Sequence, residues 1–459
     1  VTLNSDLADM ERARSWLAVH EGRARVLVGT RMSVFSSFRK LSLVIVDEEH
    51  DQSFKAGDGL RYSARDLAVW RAHRNGIPVV LGSATPSIES WVKAQSGGYR
   101  LLELHQRAVQ NALLPAIELI EPPRRGSGEA LSDEACAAMS RCLEAGRQVL
   151  VFLNRRGYSP VLSCPACGWV STCRRCSTFS VFHKSSRSLV CHHCGWQTEV
   201  PEACPSCGNV DILPRGIGTE RLEEEIGRRF PERMVLRIDR DSVSRKHEAE
   251  KAFAKVHRGE VDILVGTQMI AKGLDFPDVT LVGVINADTT LKLPDFRAPE
   301  RTFQLLEQVS GRAGRADKPG RVIVQTYWPE HPAILAAAAH DRELFLEQEL
   351  PSREELGYPP YVRLANVLAW GRNEQAVRQV ITELTLAINS SMISAGQEWE
   401  VLGPSPCLLS RLRGLYRWHT LIKAPVGADI SAIIEPVLKA RKANDEVRIA
   451  VDIDPDNLF

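Results

Sequence analysis

The sequence has no long apolar run, and its positive and negative charges nearly cancel. None of its stretches approaches the roughly 18 consecutive apolar residues that a membrane-spanning helix needs. The first residues, Val1 to Asp6, have neither the basic start nor the apolar core of a secretory signal. Lysine and arginine number 58 against 57 acidic residues, a net charge of +1. This balance argues against a protein that coats nucleic acid by bulk charge, but it leaves room for local basic grooves.

The composition is that of an ordinary folded protein. Apolar residues make up 44% of the 459 residues and charged residues 25%, which excludes a disordered or fibrous chain. At roughly 150 residues per domain, the length predicts about three domains. Runs rich in Val, Ile and Leu, such as 43–46, 148–154 and 279–285, alternate with predicted helical stretches, such as 63–75, a helix that begins at Thr219 and a helix over 331–349. This pattern predicts an α/β fold with parallel sheets covered on both faces.

Cysteine is scarce outside one segment. Eight of the eleven cysteines lie between Cys164 and Cys207 as four Cys-x-x-Cys pairs. A secreted disulfide protein would be short and would carry cysteines throughout, so these pairs indicate metal binding in a reducing cytoplasm. Two pairs supply four thiolates, the ligand set of a closed, structural zinc site. The isolated Cys136, Cys142 and Cys407 are predicted to be packing residues.

Two pairings of the four motifs are open. In the nested pairing, the inner motifs have a spacing close to that of a zinc ribbon, and the outer motifs close around them. The inner site would hold Cys173, Cys176, Cys191 and Cys194, and the outer site Cys164, Cys167, Cys204 and Cys207. In the sequential pairing, only five residues separate the first two motifs, which is cramped. We therefore favour the nested pairing; a redox role for one motif is a further alternative.

Three other segments together suggest nucleotide hydrolysis. Asp47-Glu48-Glu49-His50 follows an apolar strand, at the edge where doubly wound sheets bind phosphate and magnesium. Gly82-Ser83-Ala84-Thr85 is small and hydroxylic, and it ends another apolar run. Gln308 to Arg315 carries two arginines three residues apart, which can clamp γ-phosphate oxygens. Taken singly, the first segment also fits an acidic surface turn and the last a solvated basic helix.

In this order and spacing, the three segments resemble the motifs of superfamily 2 helicases. Gly218-Thr219-Glu220, the run 266–277, the end 451–455 and the eight cysteines inside the second lobe narrow the resemblance. With them the chain is similar to the PriA family of bacterial replication-restart helicases over nearly its whole length. The resemblance implies two RecA-like lobes, the first of them incomplete, a zinc-ribbon-like insertion and a small α+β C-terminal domain. The expected boundaries are 1–108 for the first lobe, 109–128 for a linker, 129–162 with 211–330 for the second lobe, 163–210 for the two-zinc module and 331–459 for a DNA-binding domain.

The resemblance also implies a role for each motif residue. Asp47 would help hold Mg²⁺, Glu48 would activate the attacking water, and Ser83 and Thr85 would couple hydrolysis to movement. The side chains expected to face ATP are Gln308, Arg312 and the arginine finger Arg315, with Gly273 and Asp275 near the nucleotide. The residues expected to contact DNA in the motor are Gly266, Thr267, Gln268, Lys272, Phe54, Arg61 and Tyr62. A packing role for Tyr62 is the alternative to base stacking.

In the last domain, Ser405 to Pro425 interleaves basic and aromatic side chains without an acidic residue. This pattern is typical of surfaces that bind single-stranded or branched DNA, although a solvated basic loop would look the same. The candidate DNA ligands are Arg411, Arg413, Arg417 and Trp418. The implied function is a monomeric, cytoplasmic 3′-to-5′ DNA helicase acting at stalled forks with single-strand-binding protein and other primosome proteins. Its cofactors would be two structural zinc ions, ATP and Mg²⁺.

The motif Gly-x-x-x-x-Gly-Lys-[Ser/Thr], which cradles the β- and γ-phosphates, does not occur in the sequence. We therefore expect a chain shortened at its N-terminus, inactive as an ATPase or helicase by itself, with a poorly stable first lobe. Two other functions stay open. One is a non-catalytic DNA- and primosome-binding scaffold; the other is an RNA helicase, against which the eight cysteines argue.

Overall fold

A six-stranded parallel sheet forms the centre of the chain, with smaller regions before it, inside it and after it. The computed structural model describes residues 1–104, 114–124, 127, 129–154, 161–183, 187–191, 193–215, 218–239, 246–267, 270, 276, 278–314, 319–441 and 446–458. None of the helices in these ranges is long and apolar enough to cross a membrane.

The N-terminal region, residues 1–104, contains two separate pairs of short parallel strands. Its elements are β1 (Thr2–Leu3), α1 (Asp9–His20), β2 (Val28–Gly29), β3 (Val44–Val46), α2 (Ala64–Asn75), β4 (Val79–Leu81) and α3 (Ile88–Gln95), with 3₁₀ turns at Arg31–Phe35 and Gln52–Phe54. Strand β1 pairs with β2, and β3 pairs with β4. The predicted helix over 63–75 is confirmed: the Ser63 hydroxyl caps α2, and Gly76 ends it in the left-handed conformation.

The central region forms one sheet of six parallel strands. Its elements are β5 (Ala116–Ile120), α4 (Asp133–Glu144), β6 (Gln148–Leu153), α5 (Thr219–Arg229), β12 (Val235–Ile238), α6 (Lys246–His257), β13 (Ile263–Gly266), β14 (Val279–Ile285), α7 (Ala298–Ser310) and β15 (Arg321–Gln325), with a 3₁₀ turn at Ala287–Thr289. The strand order in the sheet is β12-β13-β6-β14-β15-β5. Alternate residues of β6 enter two different cores, Leu150 and Phe152 on one face and Val149, Val151 and Leu153 on the other. The mixed α/β fold with a parallel sheet is thus confirmed.

One predicted boundary differs from the structure. The segment 109–128, expected to be a linker, contains β5, which pairs along its whole length with β15. The prolines at 115, 122 and 123 stand just outside this strand, where they cost no ladder hydrogen bond. The segment therefore completes an edge of the central sheet.

The cysteine-rich insertion consists of short antiparallel strands. They are β7 (Val161–Ser163), β8 (Val181–His183), β9 (Ser188–Val190), β10 (Gln197–Glu199) and β11 (Leu213–Arg215). Strand β9 lies between β8 and β10, while β7 pairs with β11. The β7–β11 pair forms the stem that joins the insertion to the central region.

The last region contains four helices and an antiparallel sheet of four strands, and two of the helices pack against this sheet. Its elements are α8 (Pro332–Ala338), α9 (Arg342–Glu355), β16 (Val362–Gly371), α10 (Glu374–Ser394), β17 (Glu400–Leu412), β18 (Leu415–Pro425), α11 (Ile430–Ala440) and β19 (Val447–Ile453), with the sheet order β17-β18-β16-β19. The helix expected over 331–349 is two helices, because the chain turns at His340, whose φ is 52°. The predicted α+β character of this region is confirmed.

Candidate functional site

The acidic segment, residues 47–50, forms a tight turn directly after the end of β3. Glu48 adopts the left-handed conformation with φ 49°, and its amide donates to Asp47 Oδ1 at 3.0 Å. The Glu49 amide donates to the Gly82 carbonyl at 3.0 Å, which ties the turn to the end of β4. Asp47 is exposed and Glu48 half-buried. The two predicted catalytic carboxylates therefore reach solvent on the carboxyl side of a parallel strand pair.

His50 joins three of the predicted motifs. Its Nδ1 lies 2.7 Å from Ser83 Oγ, and its Nε2 lies 3.3 Å from Gln308 Nε2. Its ring also lies 3.7 Å from a carboxylate oxygen of Glu48. Ser83 Oγ in turn accepts the amide of Thr85 at 2.9 Å. One imidazole thus connects the acidic turn, the Ser-Ala-Thr segment and the helix that precedes the two arginines.

Helix α7 lies along the N-terminal region through one polar face. Gln304 Nε2 donates to the Thr85 carbonyl at 3.4 Å, one turn before the Gln308 contact with His50. Another turn earlier, Glu300 Oε1 accepts the Ile88 amide at 3.0 Å and so caps the start of α3. At the beginning of the helix, Arg297 forms an ion pair with Glu89 at 2.5 Å. We call this row of contacts, made by Arg297, Glu300, Gln304 and Gln308, the α7 seam.

Charge compensation is extensive at the start of the α7 seam. Burial alone would raise the pKa of Glu89, but Arg297, followed by Arg353 and Arg65, lowers this pKa well below its usual range. Glu300 also accepts a hydrogen bond from Arg353 Nη2 at 2.9 Å. The Glu89 carboxylate is therefore held ionised, and the two regions are joined by hydrogen bonds between charged side chains.

Of the residues predicted to face ATP, Gln308 and Arg312 are among those that the structure describes. Arg312 lies half-buried in the turn after α7, and its amide donates to the Val309 carbonyl at 3.1 Å. It lies four residues beyond Gln308, the last residue of the α7 seam. The expected arginine finger Arg315 and the residues Gln268, Lys272, Gly273 and Asp275 lie outside the described residues.

The eight paired cysteines form two clusters with the predicted nested pairing. Cys164, Cys167, Cys204 and Cys207 make the outer cluster, and Cys173, Cys176, Cys191 and Cys194 the inner one, with the Sγ atoms of each within 4.8 Å of one another. The Sγ atoms are 3.6 Å apart in the pairs Cys164–Cys207 and Cys167–Cys204, and 3.7 Å apart in Cys173–Cys194. A tetrahedral zinc site with Zn–S bonds of about 2.3 Å has sulfur–sulfur edges of about 3.8 Å. Both clusters thus fit a structural zinc ion.

Comparisons with known proteins identify the family. Three family profiles match: "Primosomal protein N C-terminal domain" over residues 354–456, "Helicase conserved C-terminal domain" over 218–317, and "PriA DNA helicase Cys-rich region (CRR) domain" over 173–198. The replication restart protein PriA of Treponema pallidum is 37% identical over 457 residues, covering 100% of this chain and 68% of that protein. The chain belongs to the PriA family. The resemblance noted in the sequence is confirmed.

Other PriA relatives are longer than this chain. The Bacillus subtilis protein is 41% identical over 99% of the chain, which spans 56% of that relative. The Haemophilus influenzae protein is 40% identical over 99% of the chain, which spans 62% of it. The chain therefore covers between half and two thirds of these two proteins.

The segment 54–62, which contains the predicted DNA contacts Phe54, Arg61 and Tyr62, packs against other parts of this PriA-family chain. The ring of Tyr62 meets Phe35 edge-on, with centroids 4.8 Å apart, which supports the packing alternative. Phe54 ends a 3₁₀ turn and is half-buried. Arg61 reaches Asp452 on the last strand at 3.4 Å, and Lys55 pairs with the same carboxylate at 2.8 Å. The loop is thus held by β19.

Gly266 and Thr267 stand at the end of central strand β13. A Cβ on Gly266 would lie 2.5 Å from the carbonyl oxygen of Ile238 on β12. This close approach explains the glycine by strand packing alone. The Thr267 carbonyl accepts the amide of Ile270 at 3.0 Å. Contact of either residue with DNA stays a prediction.

The basic and aromatic segment 405–425 is a long β-hairpin, formed by β17 and β18, and not a loop. Arg411 lies over the Tyr416 ring at 5.1 Å, and Arg378 lies over Trp418 at 5.7 Å. Arg417 Nη1 donates to the Leu409 carbonyl at 3.5 Å across the hairpin. Arg413 occupies the tip and is exposed. The four predicted residues therefore share one β-hairpin.

Sequence reasoning missed the residues that join the regions of the chain. Arg297, Glu300 and Gln304 precede Gln308 at helical spacing, and this periodicity was the available signal. Glu49 is also buried: its carboxylate accepts the Ser87 amide at 2.6 Å and Arg65 Nη1 at 3.2 Å. The second glutamate of the acidic segment therefore organises the start of α3.

Proposed function

We propose that this chain forms the nucleotide-facing and DNA-facing parts of an ATP-dependent 3′-to-5′ DNA helicase that remodels stalled or abandoned forks in replication restart. The observation that supports this most strongly is the His50 bridge, with Ser83 at 2.7 Å and Gln308 at 3.3 Å. A side chain that contacts two regions of a motor can couple ATP hydrolysis in one region to movement of the other. Membership in the PriA family supports the replication-restart context.

Each side chain at this junction would have a different role in phosphoryl transfer. Asp47, which is exposed, would hold the Mg²⁺ that neutralises phosphate charge. Glu48, 3.7 Å from His50, would orient and deprotonate the attacking water. Gln308, Arg312 and Arg315 would approach the γ-phosphate from the opposite side. The two cysteine clusters, closed on all four ligands, would hold structural zinc.

The proposed partners follow from the same resemblance. Single-stranded and forked DNA would contact the basic hairpin and the ends of the central strands. Single-strand-binding protein and other primosome proteins would bind elsewhere on a monomer in the cytoplasm. Among the described residues, the exposed Arg413 and the half-buried Arg417 support the DNA assignment.

A non-catalytic scaffold is the second candidate function for these 459 residues taken alone. It is favoured by the sequence, in which no P-loop motif occurs. In this function the chain would bind DNA and primosome proteins, and the Asp47 and Arg312 groups would be idle.

ATP hydrolysis with forked DNA separates the two functions. The 459-residue chain would be compared with a version carrying the P-loop segment of a PriA relative at its N-terminus. We expect hydrolysis only by the extended version and its loss in the extended Glu48→Gln variant, with zinc content unchanged. If neither version hydrolyses ATP, the scaffold function is supported. Hydrolysis by the short chain would overturn our expectation of inactivity.

A further inference from the structure

Three of the four Cys-x-x-Cys turns are closed by a hydrogen bond within the turn itself. Each is followed by a glycine with positive φ, at Gly168, Gly195 and Gly208. The amide of each glycine donates to the carbonyl of the first cysteine of its own turn, at 2.9, 2.8 and 2.8 Å respectively. These turns need no other part of the chain to satisfy that donor.

The fourth turn, Cys173 to Cys176, is completed by the C-terminal hairpin. Ser177 stands where the other turns have glycine, and its amide donates to the Arg411 carbonyl at 2.8 Å. The Ser177 hydroxyl accepts the Arg411 amide at 2.9 Å. On the other side of the turn, the Gly414 amide donates to the Arg175 carbonyl. The turn and the hairpin tip therefore share backbone hydrogen bonds in both directions, across more than 230 residues of sequence.

The hairpin also reaches a ligand atom of the inner cluster. The Arg413 amide donates to Cys176 Sγ at 3.1 Å, and Arg413 Nε donates to the His193 carbonyl at 3.3 Å. Leu412 packs against the same cluster. Amide donors to a ligating sulfur orient the ligand and offset its charge. Among the described residues, the hairpin makes no such contact with a sulfur of the outer cluster. In that cluster, Cys164 Sγ accepts a hydrogen bond from Asn209 Nδ2, which belongs to the same module, at 3.6 Å.

The tip of the hairpin is shaped for this contact. Arg413 and Gly414 are the two central residues of the turn that joins β17 to β18, with φ values of 53° and 82°. The left-handed conformation is unfavourable for arginine, and such residues persist where surrounding contacts hold them. Here the conformation directs the amides of Arg413 and Gly414 toward the inner cluster.

We propose that the inner cysteine cluster is a metal-dependent interdomain clasp, which docks the C-terminal hairpin only while its metal is bound. The outer cluster stabilises its own module and leaves the hairpin unaffected. Metal loss removes the metal–sulfur bonds that hold the four cysteines together, so it opens the turn that carries the Ser177 and Cys176 contacts. Arg411 and Arg413 are then released together, and metal occupancy at one cluster sets the position of a basic element in another domain.

Hydrogen–deuterium exchange of the zinc-loaded chain tests the clasp. Cys194→Ser and Cys207→Ser are matched variants, because each residue ends its motif before a glycine. Each should lose one of two bound zinc ions. We expect exchange at the hairpin tip, 411–414, to rise about tenfold or more in Cys194→Ser and to stay at the wild-type rate in Cys207→Ser. Equal rates at the tip in the two variants would overturn the proposal.

A second variant keeps the test independent of cysteine loss. Ser177→Ala removes the hydroxyl that accepts the Arg411 amide but leaves all eight thiolates in place. Because binding linkage is reciprocal, a weakened hairpin contact should weaken metal retention. We expect one of the two zinc ions to transfer to a chelator about fivefold faster than in wild type. The control Ser206→Ala, in the outer cluster, should release both ions at wild-type rates, and unchanged release from Ser177→Ala would contradict the clasp.

Discussion

The two groups of parallel strands are built from similar residues, but they are buried very differently. Every residue of β6 in the central region is buried. In the N-terminal region, the middle residues of β3 and β4, Ile45 and Val80, are 65% and 43% exposed. The central strands have helices on both faces, and the alternate side chains of β6 fill two separate cores. A Val- and Ile-rich run thus predicts a strand, but it does not say how many of its faces are covered.

The N-terminal region takes part of its core from its neighbour. Ile88 and Trp91 of α3 belong to the largest apolar cluster, which is otherwise formed by the central region and helices α8 and α9. Arg342 lies over the Trp91 ring at 3.8 Å. Together with the α7 seam, these contacts join α3 to the central core. We therefore expect the N-terminal region to lose stability when these contacts are removed.

The largest expected effect separates the two strand groups directly. Phe152→Ala empties a fully buried site in β6 and should lower the free energy of unfolding by about 3–5 kcal/mol. Ile45→Ala, at an exposed position of β3, should change it by less than about 0.5 kcal/mol. Urea unfolding followed by circular dichroism measures both. A comparable loss in Ile45→Ala would mean that β3 has a covered face after all.

Removing the central contact of the α7 seam should have the next largest effect. Glu300→Ala leaves the Ile88 amide without its acceptor and leaves Arg353 with Glu349 as its remaining carboxylate partner. Loss of one partner in a buried pair costs about 3 kcal/mol. We expect faster hydrogen exchange in α3 and a lower melting temperature. The control is Glu347→Ala on an exposed face of α9, which should alter neither. Unchanged exchange in α3 would show that the apolar contacts of Trp91 suffice.

Two glycines of the central sheet test how tightly it is packed. Gly266→Ala would place a Cβ 2.5 Å from the Ile238 carbonyl oxygen, whereas a Cβ on Gly283 meets nothing within 4 Å. We expect Gly266→Ala to destabilise by about 2 kcal/mol and Gly283→Ala to be nearly neutral. Thermal unfolding, measured without DNA, gives both values. If Gly266→Ala is as stable as wild type, strand packing does not explain this glycine and the DNA-contact prediction gains weight.

Local patterns predicted most of the regular structure. The strand over 279–285 and the start of a helix at Thr219 agree with the structure at those residues, because continuous apolar runs and amphipathic spacing are local signals. The nested cysteine pairing followed from spacing for the same reason. The strand β5 was missed because prolines flank it, and the turn at His340 because no glycine or proline marks it.

Contacts between distant segments were the part that sequence could not supply. Gln308 was singled out, but its contact with His50, 258 residues away, depends on how α7 lies against the N-terminal region. The segment 405–425 was singled out for its basic and aromatic residues, whereas its contact with the inner cysteine cluster uses backbone amides, which carry no residue signature. Motif residues can therefore be named from the sequence, while their partners require the fold.

The smallest expected effect concerns the charged end of the α7 seam and its dependence on pH. Burial opposes ionisation of Glu89, whose side chain is 19% exposed, but Arg297, Arg353 and Arg65 together lower its pKa below the ordinary value of 4.5. As the pH falls through 4.5, Glu89 therefore becomes protonated in the unfolded chain but stays ionised in the folded chain. The stability that the ionised Glu89 contributes is complete above that pH and is lost as the pH falls below it. Between pH 5 and 3.5, the free energy of unfolding of wild type should fall more steeply than that of Glu89→Gln, by at most about 1.4 kcal/mol per pH unit. Urea unfolding at four pH values measures the two slopes, with Glu347→Gln as the exposed control that should follow wild type. Parallel slopes for wild type and Glu89→Gln would mean that this ion pair does not hold the N-terminal region to the central one, leaving Glu300 and the apolar contacts of α3 to do so.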